Sequence, residues 1–497
     1  MSYSKIFSGD LPELIFDIIK YFYNDYSTLY SCVLVNRLWC RITIPILWEN
    51  PFSIPIKNYN VIGIYLHYLN DDLKTKLNKY YEINKLFPST TLFNYPMFLK
   101  ILNIYEIISS VDKWSETFKT SQFKKFIYMS LFKIFIENEV NLHTLEIEII
   151  TYFNTYVDYI LEIILQYPIF IHKIRNLKIY ILINDEDIQI KNRITQMIDI
   201  HQNLKKIMLS RDSFSLYQPL ILSNGSNTLN TIILYFVDFN SLADNLFEKL
   251  NVLESVHIMY CTLNNKFIQQ IVNLTKPFKL KSLLMYGGPQ IESLKLLLQK
   301  SGDYLENFGY GFCYDDLSSD QQSLQLIINY CKNIKFLDLY KFGMKITYLV
   351  LNLIENFNQN LNHLSITVED YQDCSNNIKC SSIILQNLGQ ILPSKLEYLN
   401  LVLYIRENDL EIFLKNSQNT SIKKLLILQK DDDDIIDYIK KFIMKEKRVK
   451  YLAIWNSKYE GLPYFENEVK EFELYNIKLK YYYDLSFNLH NFEKELD

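Results

Sequence analysis

The chain has 497 residues, of which 49% are hydrophobic and 22% charged, and its formal net charge is −4. This composition supplies a large packed core and excludes a disordered chain. The slight acidity, with no long Lys/Arg stripe, leaves no field to gather nucleic acid. With only 11 glycines, no phosphate-cradling loop is evident. No apolar run approaches about 18 residues, and the opening MSYSKIFSGD lacks a basic-then-apolar signal pattern. Seven cysteines without a C-x-x-C pair suit a reducing compartment. We therefore expect a cytoplasmic or nuclear protein that is neither secreted nor membrane-bound.

In chain order, Leu11 to Trp48 reads as three short helices. Asp10 and Leu11-Pro12 open the first, since Pro suits a first turn and loses no needed N–H there. Leu14, Ile15, Ile18, Ile19 and Phe22 share one helical face. Asn24-Asp25 ends that helix, and Ser27 is placed to cap a second carrying Leu29, Cys32, Val33 and Val35. A third carries Trp39, Ile42 and Ile46, with Pro45 near its end. After a Pro-punctuated connection over 49–55, the chain from about residue 60 to 140 reads as helices apolar on more than one side, forming a neck and an N-terminal cap.

From Leu142 a hexad of the form apolar-x-x-apolar-x-apolar recurs. Its copies start at Leu142, Ile174, Leu204, Leu229, Leu253, Leu280, Leu305, Ile334, Leu361, Leu396, Ile422, Val449 and Val469. The mean interval is about 27 residues, within the range of solenoid repeats. The second position is polar in every copy, and most intervening stretches, LNNKFIQQIVNL among them, have helical periodicity. The expected fold is therefore α/β, a solenoid whose hexads form a parallel sheet. Positions one, four and six would face the core, and three, five and seven would face outward. The segment after Trp455, with Gly461-Leu462-Pro463, reads as a C-terminal cap without a helix.

No catalytic constellation emerges. The histidines are scattered, Gly287-Gly288 and Gly309-Tyr310-Gly311 lack nucleotide-loop spacing, and the cysteines lack metal-ligand spacing. We expect no enzyme activity, cofactor or metal. The informative feature is hexad position seven, which carries Tyr180, Tyr235, Met259, Tyr286, Tyr340, Trp455 and Tyr475. Such a line suits a target-protein surface, because Tyr and Trp dominate interface hot spots. Positions three, five and seven hold no Arg, so the target is not expected to need a phosphate.

The first of these segments resembles the F-box family. The matching residues are Leu11-Pro12-Glu13, Ile15, Ile18, Leu29, Val35, Arg37, Trp39, Pro45 and Leu47-Trp48. Asn36 and Thr28 stand where the family often has Cys and an acidic residue. The resemblance implies docking to the Skp adaptor, and through it to cullin and RING subunits, by Leu11, Pro12, Glu13, Ile15, Ile18, Leu29, Val35, Trp39, Leu47 and Trp48. The repeats, with Cys261 and Cys313 at the ninth position of two copies, are similar to cysteine-containing leucine-rich repeats in degenerate form. The implied organisation is an F-box over 6–50, a helical linker and cap over 51–140, and a horseshoe of about 13 repeats over 141–497 with the parallel sheet on its concave face. The implied function is substrate recognition for an SCF-type ubiquitin ligase, with the target protein unidentified. A repeat scaffold that uses the F-box without promoting degradation is the alternative.

Overall fold

The computed structural model describes residues 12–23, 25–54, 60–81, 91–115, 120–149, 154–181, 188–210, 216, 227–241, 247, 250, 252–286, 290–312, 317–368, 374–431, 435–444, 448–456 and 466–487. Three helices come first: α1 (Pro12–Lys20), α2 (Tyr26–Val33) and α3 (Arg37–Leu47). Asp25, not Ser27, caps α2: its carboxylate accepts the Thr28 amide at 3.1 Å and the Thr28 hydroxyl at 2.8 Å. An anionic acceptor one residue before the helix both satisfies a free amide and complements the helix dipole, so it wins over a serine already inside the first turn. Asn36 caps α3 by accepting the Trp39 amide at 3.0 Å. Ile15, Ile19, Leu29, Cys32, Trp39, Ile46 and Leu47 close into a single core between the three helices.

The neck contains α4 (Asn60–Leu66), α5 (Asp71–Tyr81), α6 (Ile104–Trp114) and α7 (Ser121–Glu137). It is welded to the three helices by aromatic packing. The fully buried Tyr65 meets Trp48 edge-on at 5.5 Å, stacks on Phe52 at 5.7 Å and meets Phe135 edge-on at 5.2 Å. Lys100 pairs with Glu49 across the same junction. One expectation fails here. Leu99 to Ile104, helical by its sequence pattern, contains strand β1 (Ile101–Asn103), and Leu99, Leu102 and Ile104 occupy the apolar hexad positions with no exposure. The repeat thus begins one copy before Leu142.

The chain divides into two compact units. The first runs to Val237 and takes in Glu248–Glu254; the second holds Asp238–Phe247 and everything from Ser255. The first unit continues with β2 (Thr144–Ile149), β3 (Asn176–Ile181), β4 (Lys206–Ser210) and β5 (Thr231–Tyr235). With β1 these strands pair in parallel in chain order. The second unit carries β6 (Ser255–Met259), β7 (Leu280–Tyr286), β8 (Asn307–Gly311), β9 (Phe336–Phe342) and β10 (His363–Val368). β11 (Lys395–Leu403), β12 (Ser421–Gln429), β13 (Val449–Trp455) and β14 (Lys478–Leu479) come next, again parallel and in chain order. Each unit is a stack of strand-and-crossover repeats, the solenoid-like arrangement that the spacing predicts.

Twelve of the thirteen hexads contribute a strand, and positions four and six are buried in every one of those twelve. The thirteenth does not. Val469 lies in helix α8 (Glu466–Glu473), Leu474 is exposed, and Phe472 is the residue that enters the core. Asn476, in the left-handed region at φ 62°, closes the helix and leads into β14. The cap after Trp455 therefore does have a helix, while Gly461-Leu462-Pro463 lies outside the described residues. The polar second positions form a ladder of alternating charge: Glu306 pairs with both Lys281 and Lys335, and Glu397 with Lys423 at 3.5 Å. Burial pushes the Glu306 carboxyl up, yet the two lysines outweigh it and hold it below the usual carboxylate range.

Candidate functional site

In the second unit the strand register sets hexad position seven in one row. Tyr286, Gly311, Tyr340, Thr367, Val402, Leu428 and Trp455 are successive neighbours across the sheet. Gly311 is needed where it stands, because a Cβ there would collide with the Tyr286 ring. That ring lies across β8, stacks on Tyr260 at 4.7 Å and 22°, and meets Tyr340 at 5.9 Å in an edge-to-face contact.

Position five forms the adjacent row: Met259, Leu284, Gly309, Asp338, Ser365, Asn400, Leu426 and Ala453. Its polar members make a directed chain. The Tyr482 hydroxyl donates to Asn400 Oδ1 at 2.9 Å, and Asn400 Nδ2 donates to Ser365 Oγ at 3.2 Å. The Ser365 hydroxyl then turns its own hydrogen to the Asp338 carboxylate, which also accepts from the Tyr260 hydroxyl at 3.5 Å. Desolvation nevertheless pushes the Asp338 carboxyl up to about 6, because two neutral donors do not replace lost water around a full charge.

A feature of the C-terminus shapes this face. The short helix α9 (Tyr482–Leu485) lies across β12 and β13, and Tyr482 packs against Tyr398, Leu426 and Ala453. Phe487 reaches the position-three row, where His363 is sandwiched between Phe336 at 4.1 Å and Tyr398 at 3.9 Å. Burial holds the His363 imidazole well below its usual range, with Lys424 adding to the shift, so it stacks as a neutral ring. Alternation predicts that positions three and five face outward; here this segment covers part of them. Between it and the strands opens a cavity of about 630 Å³. Asp338 lies in its wall, with Tyr260, Tyr286, Tyr340, Trp455 and Phe487 around it. Two wall residues, Tyr260 and Lys341, have left-handed backbone at φ 56° and 63°. Lys341 is the extra residue of a bulge, since Tyr340 pairs with Thr367 and Phe342 with Val368. Non-glycine residues held in that region concentrate at functional sites.

The raised Asp338 pKa makes stability depend on pH. The protonated form is the one the fold favours, so this contribution is fully present below the unfolded value near 3.8 and is lost as pH rises through about 6. Asp338→Asn is expected to stabilise the protein at pH 7.5, by no more than about 3 kcal/mol, and to have little effect at pH 3.5. Urea unfolding at the two pH values measures it; equal effects at both would refute the assignment.

Of the position-seven residues, then, Tyr286, Tyr340 and Trp455 come together at the cavity. Met259 does not join them: a register shift at β6–β7 sets it in the position-five row, where it is fully buried. Tyr260, one residue later, supplies the ring instead. Tyr475 lies on the turn after α8, off the sheet, because the last hexad forms a helix and no strand. In the first unit Tyr180 is the last residue but one of β3, and Tyr235 ends β5. Tyr482 and Phe487 escape sequence reading because they lie beyond the last hexad, and only the chain's return over the sheet brings them here.

Among the first three helices, Ile15, Leu29, Trp39 and Leu47 are core residues that hold the helices together. Ile18 and Trp48 are half-buried, Pro12, Glu13 and Val35 are exposed, and Leu11 lies outside the described residues. Among the described residues of this segment, the exposed large apolar side chains are Leu14 and Phe16 on α1, Tyr21 just after it, Tyr30 on α2, and Leu34 and Val35 at the α2–α3 turn, Leu34 being 85% exposed. Among the described residues, no cluster of three or more His, Cys, Asp or Glu could hold a metal ion, and no helix is long and apolar enough to cross a membrane. The chain matches no protein-family model and no curated protein.

Proposed function

We propose that this protein is a non-catalytic receptor subunit of an SCF-type ubiquitin ligase. In this reading α1 to α3 are an F-box that docks the Skp adaptor, and the strand repeats are degenerate leucine-rich repeats that hold a target protein. The observation that carries it is the N-terminal unit. The segment whose residues resemble an F-box is three helices around one apolar core, the second and third capped by Asp25 and Asn36, and it leaves Leu34 and Val35 exposed at the turn between them. Large apolar side chains grouped at one helix turn, with their neighbours already committed to the core, suit a permanent protein partner. The repeats support the second half, because parallel strands in chain order display rows of side chains to a macromolecule. The contribution to catalysis would be proximity: the target is held near a charged enzyme docked elsewhere.

The test uses residues whose loss leaves the core intact. Leu34→Asp with Val35→Asp is expected to abolish co-purification with the Skp adaptor while the circular dichroism spectrum and thermal midpoint stay unchanged. Undiminished capture by this variant would end the reading.

A further inference from the structure

We infer that the cavity between the C-terminal segment and strands β6 to β13 receives the cationic side chain of a lysine or arginine in a partner polypeptide. This deepens the target-binding half of the proposed function and does not depend on the adaptor half.

Asp338 sets the chemistry of the cavity. Its carboxylate is partly buried in the wall, and among the described residues no lysine, arginine or histidine lies within ion-pair distance of it. The two wall lysines are directed elsewhere. Lys430 Nζ donates to the Val368 carbonyl at 2.6 Å, and Lys341 Nζ lies over the Tyr340 ring, 5.1 Å from its centre. The chain of donors from Tyr482 through Asn400 and Ser365 is directed so that its last hydrogen meets Asp338. That orientation favours an ionised carboxylate, yet the charge is left uncompensated. A buried charge of this kind is normally paired, and a cation from outside would complete it.

The walls fit the same guest. Tyr260, Tyr286, Tyr340 and Trp455 line the cavity, and aromatic rings attract ammonium and guanidinium groups. They also pack against the aliphatic stem of such a side chain. A volume of about 630 Å³ admits a long side chain together with part of its backbone. An anionic guest would have to sit against Asp338 while the two wall lysines are held by the Val368 carbonyl and the Tyr340 ring, and an apolar one would bury the carboxylate without a partner.

The experiment uses the full chain and fluorescein-labelled Ala-Ala-Lys-Ala-Ala, with norleucine and Glu peptides as controls, read by fluorescence anisotropy. The lysine peptide is expected to bind at least about tenfold more tightly than the norleucine peptide, and the Glu peptide not at all. Asp338→Asn should weaken the lysine peptide by at least about thirtyfold and remove the preference over norleucine. Tyr286→Ala, at a side chain already 56% exposed and so harmless to folding, should weaken it by about three- to tenfold. Binding should fade as pH falls below about 6, where Asp338 takes up a proton. Equal binding of the lysine and norleucine peptides, or an unaltered affinity in both variants, overturns the inference. So does binding of free butylammonium alone, which would make the guest a small amine. Capture of the Skp adaptor, measured on the same preparation, separates failure here from failure of the receptor reading.

Discussion

Lys178→Met is expected to lower the unfolding free energy by about 3–5 kcal/mol, the cost of leaving a buried carboxylate without its cation. Lys178 Nζ lies 2.8 Å from Glu146 Oε1, and both side chains are almost wholly buried. Asn103 Nδ2 donates to Glu146 Oε2 at 3.0 Å and to Glu148 Oε1 at 2.6 Å, while its own Oδ1 accepts the Glu106 amide at 3.2 Å. The pair is thus embedded between β1, β2 and β3, where water cannot enter to solvate a stranded charge. Methionine fills the space of the lysine stem but offers no proton. The double variant Glu146→Gln with Lys178→Met removes both charges, and its stability should return to within about 1 kcal/mol of the parent or exceed it. Urea denaturation of the three proteins measures the difference. A double variant as unstable as Lys178→Met alone would show that lost packing, not an uncompensated charge, is responsible.

That same pair marks how far the sequence can be read. Hexad positions four and six are buried because an alternating strand has only one way to present them to the helices, so period and polarity predict them. The same alternation puts Glu146 and Lys178, at position five, on an open outer face. Alternation says which side a residue faces; it cannot say what else lies on that side. In the second unit the missing information is the chain's return through Tyr482 and Phe487, which covers Tyr398, Leu426 and Ala453 and closes the cavity. The register slip at β6–β7 is likewise invisible in the hexad, although it replaces Met259 with Tyr260 at the stack on Tyr286. The copy at Leu99 has the hexad spacing yet reads as helix, because a strand of three residues is too short to show a period of two. The copy at Val469 fails the other way, since apolar spacing of three suits a helix as well as a hexad.

Leu29→Ala carries the second large effect, a loss of about 2–5 kcal/mol, and it separates the two roles that the opening segment combines. Leu29 has no exposed surface and packs among Ile15, Ile19 and Trp39, so truncation opens a cavity where the three helices meet. Leu34, five residues later and 85% exposed, should change stability by less than about 0.5 kcal/mol when cut to Ala. Thermal unfolding followed by tryptophan fluorescence compares the two, because Trp39 reports directly from that core. A Leu29→Ala protein that melts with the parent would refute the core role. The contrast also governs how a binding experiment is read. Adaptor capture lost in Leu29→Ala would show only that the helices no longer hold together, whereas capture lost in Leu34→Asp with Val35→Asp, at an unchanged melting temperature, would locate the contact itself. A match in sequence pattern mixes residues that build a unit with residues that the unit displays, and burial is what sorts them.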